Sequence, residues 1–232
     1  MKKSLTELAR EPDALDGGPY YDLAEKDLEN QWRDLIWPMV EDFDFTCALD
    51  LAAGHGRVSA KLQPLAKKLY TVDISEPAVE FCRRRFADRA NVTVFRNNGY
   101  DLHEIPDRHL SAILCFDAMV HFDSDLVREY IKSFARVLRP GGRGFIHHSN
   151  FTADVSGDFK KQPHWRNFMS KELFAHWCIK AGLVVLRQQV IDWSAKDLDC
   201  LTVFENPLSN PAPIEKSSTL AKFFGFCGKK TT

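Results

Sequence analysis

The chain of 232 residues is long enough for one sizeable α/β domain, and its 44% apolar and 27% charged residues are the balance of a globular protein. A net charge of −1 gives no electrostatic reason to expect a nucleic-acid partner. Arg83-Arg84-Arg85, a dense basic run, reads as a solvated helix face. There is no apolar signal core and no 18-residue apolar span, so no membrane partner is expected and the cytoplasm is the expected location. The six cysteines include no C-x-x-C pair, and several sit within apolar runs, as reduced core thiols do.

In chain order, residues 1–18 are polar, end in Gly17-Gly18 and read as an arm. From 19 to 41, Tyr21, Leu23, Ala24, Leu28, Trp32, Leu35, Ile36 and Val40 have the spacing of one or two amphipathic helices, so 1–41 forms an arm and helical lid. Apolar runs predict strands near 47–52, 68–73, 92–96, 110–116 and 143–148. Helical spacing lies between them near 57–65, 76–87 and 125–138. Such alternation implies a doubly wound, Rossmann-like, mostly parallel sheet with ligands at its carboxyl edge. A helix from Ser170 to Ala181, stopped by Gly182, precedes two β-rich runs at 183–193 and 200–205. The main domain therefore spans 42–206, and 207–232 is a tail with three prolines and a short apolar-basic stretch, Phe223 to Lys230.

The most informative stretch is Asp50-Leu51-Ala52-Ala53-Gly54-His55-Gly56-Arg57, after the first strand. A small-residue turn there lets a ligand approach the backbone. Asp73 ends the second strand and suits the two hydroxyls of a ribose. Together they point to a nucleoside-bearing cofactor. A nicotinamide fingerprint needs a third glycine, and Ser59 stands in its place.

Asp50 lies four residues before Gly54, which resembles motif I of the class I S-adenosylmethionine-dependent methyltransferases, D/E-x-G-x-G-x-G, with Ala52 at the first glycine. Asn97-Asn98-Gly99, Phe116-Asp117-Ala118-Met119-Val120-His121-Phe122 and Leu138-Arg139-Pro140-Gly141-Gly142 match that class in order, the last as a turn into the fifth strand. The resemblance covers about 45–205 and implies a seven-stranded sheet ending in an antiparallel hairpin. It further implies S-adenosylmethionine as cofactor, held by Asp50, Ala52, Gly54, Gly56, Asp73, Ile74, Asn98, Gly99 and Phe116, with Asn98 near adenine. S-adenosylhomocysteine would be the product. His147-His148-Ser149-Asn150 and His164-Trp165-Arg166 look like a bacterial subgroup of polysaccharide and secondary-metabolite pathways.

An alcohol acceptor needs a base, and neutral histidine suits the task. His121, His147 and His148 fall at strand ends, and strand alternation sends the last two to opposite faces. His148, nearest the loop edge, is the first candidate and His121 the second, with Asp117 as orienting acid. Tyr21, Asn150, Trp165 and Arg166 are candidate substrate contacts. No metal is expected, since magnesium prefers carboxylate and water ligands. The reading is O-methylation of a small molecule or saccharide. The alternatives are N- or phosphate-oxygen methylation without an essential base, or a cofactor-binding scaffold.

Overall fold

The computed structural model describes residues 3–13, 18–155 and 159–208. Seven strands form one sheet in the order β3-β2-β1-β4-β5-β7-β6. The parallel members are β1 (Cys47–Leu51), β2 (Lys68–Asp73), β3 (Val92–Arg96), β4 (Leu110–Cys115) and β5 (Leu138–Ser149). Strand β7 (Asp199–Glu205) runs antiparallel between β5 and β6 (Val184–Ile191). Helices pack on both faces, so the central strands read as continuous apolar runs; every residue of β4 is buried. Strand order reverses between β1 and β4, and their carboxyl ends open the crevice at which such sheets bind ligands.

One face of the sheet is covered by α6 (Ser124–Val137) and α7 (Lys171–Lys180). Leu126, Tyr130, Phe134 and Val137 recur on one side of α6, and the Asp123 carboxylate accepts from the Asp125 N–H to start it. Ser170 caps α7 in the same way, accepting from the Leu173 N–H. The other face is covered by α2 (Gly18–Gln31), a π-helical turn (Trp32–Ile36), α3 (Trp37–Val40) and α4 (Arg57–Leu62). Helix α5 (Glu76–Arg85) packs on β2 and β3. Across β5 and β7, Gly144 pairs with Phe204; a Cβ at Gly144 would meet that ring at 2.2 Å.

Two expectations need correction. Residues 1–18 are not an arm throughout: α1 (Leu5–Asp13) folds there, and Leu8 and Ala9 pack against Leu126. Its start is a capping box, with the Ser4 N–H donating to Glu7 Oε2 at 2.7 Å and the Glu7 N–H donating to Ser4 Oγ at 3.3 Å. Leu138-Arg139-Pro140-Gly141-Gly142 is not a turn ahead of the fifth strand but lies inside β5. The register against β4 shifts there, and Gly141 takes φ +76°. Cys47, Cys82, Cys115, Cys178 and Cys200 are free thiols; Cys227 and most of the tail lie outside the described residues. Among the described residues no helix is long and apolar enough to cross a membrane.

Candidate functional site

A cavity of about 850 Å³ opens at the carboxyl ends of β1, β2 and β4. Its first wall is the turn after β1. Ala52, Gly54 and Gly56 all take positive φ there, at +55°, +54° and +77°. A Cβ at Gly54 would meet the Tyr21 ring at 2.6 Å, so glycine is required by space as well as by conformation. The Gly54 N–H donates to Asp73 Oδ2 at 2.8 Å and the Ser75 N–H to Asp73 Oδ1 at 2.9 Å. Each carboxylate oxygen of Asp73 is thus oriented by a backbone bond. Asp50 lies beneath, 1% exposed, accepting from Ser59 Oγ at 2.6 Å; burial pushes its carboxyl up to about 7. Ser59 Oγ also bonds Thr71 Oγ1 at 2.9 Å, tying α4 to β2. The ring of His55 lies between Tyr21 and Phe81, with centroids 3.9 Å from each.

Ile74, Ser75, Asn97 and Gly99 form the second wall, with Ala9 of α1 and Tyr130 of α6. Asn97 Nδ2 donates to the Tyr130 hydroxyl at 2.9 Å. The neighbouring Asn98 does not line the cavity: its Oδ1 accepts the N–H groups of Tyr100 and Asp101, both at 3.0 Å, and holds its own turn. Asn97, one residue before the expected one, reaches this wall, and its Oδ1 accepts the Gly99 N–H at 3.2 Å.

The far end is built by contacts between distant parts of the chain. Phe116 and Asp117 follow β4, Asp117 at φ +57°. Arg57 crosses the cavity, donating to Asp117 Oδ2 at 2.9 Å, Gln31 Oε1 at 2.8 Å and the Ala24 carbonyl at 3.0 Å. His121 Nδ1–H donates to the Trp165 carbonyl at 2.8 Å, which leaves the lone pair on Nε2. Burial lowers the His121 pKa, so the neutral imidazole prevails near neutral pH. His164 and Trp165 stand at φ +46° and +54°, a conformation costly for non-glycine residues. Arg166 and Trp193 complete this end.

The three histidines part company. His148, expected as the first base, is fully buried away from the cavity and lies flat on Phe174, with centroids 4.1 Å apart. Its Nδ1–H donates to the Ser149 carbonyl and its Nε2 accepts from Thr202 Oγ1, both at 2.8 Å. Burial lowers it to about 4, so both nitrogens are committed and no acceptor reaches it. His147 points the other way but is also fully buried and outside the cavity lining. Its Nδ1 accepts the Asp117 N–H at 3.1 Å, and its Nε2 bonds Asp199 Oδ2 at 3.0 Å. Asn150 is spent on structure as well, donating to the Asp197 carbonyl and accepting from the Lys171 N–H. Gly56 serves as the left-handed start of α4 against Phe86 and Cys82, outside the lining. Of the expected residues, Tyr21, Asp50, Ala52, Gly54, Asp73, Ile74, Gly99, Phe116, Asp117, His121, Trp165 and Arg166 meet at the cavity. Asn97 and Gln31 join them unanticipated.

An adenosyl sulfonium suits this donor set. Asp73 offers oriented carboxylate oxygens, the glycine turn admits close approach, and Asp27 and Asp73 put carboxylates in the lining.

Residues 48–142 match the family model described as a methyltransferase domain. No curated protein matches the chain in sequence. Among solved structures, the PH0226 protein of Pyrococcus horikoshii is 20% identical, with a TM-score of 0.61 over 78% of this chain and 90% of its own. An S-adenosylmethionine-dependent methyltransferase from Mesorhizobium loti is 15% identical, with a TM-score of 0.62 over 75% of this chain and 97% of its own. The [4+2]-cyclase SpnF is 16% identical, with a TM-score of 0.64 over 78% of this chain and 82% of its own. These likenesses establish the fold.

Proposed function

We propose that the chain is an S-adenosylmethionine-dependent methyltransferase that acts on a hydroxyl of a small molecule or saccharide, with His121 as general base. One observation carries the reading: His121 lines the far end of the cavity with Nδ1–H tied to the Trp165 carbonyl, so Nε2 holds the lone pair. The lowered pKa keeps that nitrogen unprotonated near neutral pH.

Asp73 would hold the ribose hydroxyls, Asp50 and the 52–55 turn the methionine part, and Ile74 and Gly99 the adenine, with Asn97 fixing that turn through the Gly99 N–H. When bound, the cofactor supplies an activated methyl group on a sulfonium leaving group. The chain's own residues do the rest. His121 Nε2 takes the proton of the acceptor hydroxyl. Arg57, paired with Asp117, walls the far end of the cavity and keeps water out. Trp165, Arg166 and Trp193 bound the acceptor space, and Tyr21 with α2 covers it from the other side. Both cavity-lining arginines are already ion-paired, Arg57 with Asp117 and Arg166 with Asp199, so the pocket favours a neutral acceptor over an anionic one.

Transfer of labelled methyl to panels of saccharide and small-molecule alcohols tests this reading. His121→Ala should lower turnover about 10²–10⁴-fold, with S-adenosylhomocysteine affinity within about threefold on the same reasoning that a base acts on the acceptor proton. Unchanged turnover in that variant would point instead to N- or phosphate-oxygen methylation.

A further inference from the structure

Asp199 is an acid in an otherwise apolar run, Leu198-Asp199-Cys200-Leu201, and it is fully buried at the start of β7, opposite Ser149 of β5. Its carboxylate accepts three bonds. Arg166 Nε donates to Oδ1 at 2.9 Å, Arg166 Nη2 to Oδ2 at 2.6 Å and His147 Nε2–H to Oδ2 at 3.0 Å. Arg166 is 2% exposed, and its Nη1 also donates to the His164 carbonyl at 3.0 Å. His147 Nδ1 accepts the Asp117 N–H, so the proton of the neutral ring sits on Nε2. That ring is wedged beside Phe116 and Trp193, each with centroids 5.0 Å away.

The chain of bonds therefore ends on two strained backbones. One is Asp117 at φ +57°, at the head of the segment that leads to His121. The other is His164-Trp165 at φ +46° and +54°, whose Trp165 carbonyl takes the His121 Nδ1–H. Such conformations cost about 1–3 kcal/mol each and persist where the surroundings over-determine them. We propose that Asp199 is a positioning residue: through His147 it fixes the Asp117 turn, through Arg166 it fixes the His164-Trp165 loop, and the two together set the direction of His121 Nε2. The proposal deepens the reading of His121 as base and rests on it, but the geometry it claims is measurable without any acceptor.

A bare ion pair would be a weak reason to keep two charges in this core, since replacing such pairs by apolar residues is often neutral for stability. The tautomer is the informative part. A carboxylate accepts all three bonds, whereas the amide of Asp199→Asn has one acceptor oxygen and turns its N–H₂ toward a donor. Set against Arg166 Nε, the N–H₂ breaks the Arg166 arm; set against Arg166 Nη2 and His147, it is met by His147 only if the ring moves its own proton to Nδ1. Nδ1–H then faces the Asp117 N–H, donor against donor, and the turn loses its hold.

The test is nitrogen-15 spectroscopy of the histidine rings with S-adenosylhomocysteine present, alongside calorimetric titration of that ligand. In the unsubstituted chain His147 should read as unprotonated at Nδ1 and protonated at Nε2, and His121 the reverse. In Asp199→Asn one of the two arms is lost whichever way the amide turns, so the His121 ring signals should move, while ligand affinity stays within about threefold. Should Asp199→Asn fail to fold, His147→Phe keeps the aromatic wedge, removes both bonds, and should shift the His121 signals alike. Overturning results are Nδ1-protonated His147 in the unsubstituted chain, or His121 signals that do not move in the variant that folds. Loss of S-adenosylhomocysteine binding by the unsubstituted chain would strike the methyl-transfer reading and leave the tautomer test standing.

Discussion

The two ends of the cavity are held together by different means. At the end proposed for the cofactor, backbone groups do the work: the N–H groups of Gly54 and Ser75 on Asp73, and glycines at positive φ. At the end proposed for the acceptor, side chains from distant segments meet: Arg57 with Asp117, His121 with Trp165, His147 with Asp199, and Arg166 with Asp199. A local turn carries its signature in a few consecutive residue types. A convergent wall does not, because its partners are joined only once the sheet has brought them together.

The largest expected effect lies at the acceptor end. His121→Ala should cost about 10²–10⁴ in turnover, by the usual worth of a positioned base. Its counterpart at the cofactor end is Asp73→Ala, which removes charge-assisted bonds worth about 1.5–3 kcal/mol each. Calorimetry with S-adenosylhomocysteine should then show affinity lower by about 10²–10⁴-fold, two such bonds being lost. If either substitution disturbs both quantities equally, the two ends are not separable as drawn.

This division also explains what was legible beforehand. Strands β1 to β4, the Asp50–Arg57 turn and Asp73 could be read directly, because period, turn chemistry and strand-end acids are local features. The face of a histidine depends on register. His147 and His148 were rightly sent to opposite faces, but only the pairing of β5 with β7 puts His148 against Phe174 and Thr202. Motif position points to Asn98, whereas both asparagines hold the turn, Asn98 through Tyr100 and Asp101 and Asn97 through Gly99, and only Asn97 reaches the cavity. Helix α1 was readable from its Ser4-x-x-Glu7 box and was overlooked because its surroundings are polar. Asp199 carried a signal too, an acid within an apolar run, but nothing in sequence pairs it with Arg166.

Smaller effects sharpen the contrast. Arg57→Met strands the nearly buried Asp117 carboxylate, at a cost of about 3–5 kcal/mol for breaking such a pair. The melting temperature should fall by roughly 10 °C, at about 2–4 °C per kcal/mol. Arg57→Met with Asp117→Asn should recover part of the loss. Asp50 gives a pH signature. Its carboxyl is raised in the folded state, so the fold holds a proton that the unfolded chain releases. Stability therefore falls as pH rises between about 4, the unfolded value, and about 7, and levels off above that. The melting temperature of Asp50→Asn minus that of the unsubstituted chain should climb across the same window and then stay flat; a constant difference would mean that Asp50 is not perturbed. Ala52→Gly should matter least: relief of about 1–2 kcal/mol of left-handed strain is offset by about 0.5–1 kcal/mol of added chain entropy in the unfolded state.

The most direct test of the central claim is a crystal structure with S-adenosylhomocysteine. The account predicts both ribose hydroxyls on the Asp73 carboxylate and the sulfur directed toward the end of the cavity that holds His121 and Trp165. A nucleoside seated elsewhere, or Asp73 turned away from the ribose, would contradict it.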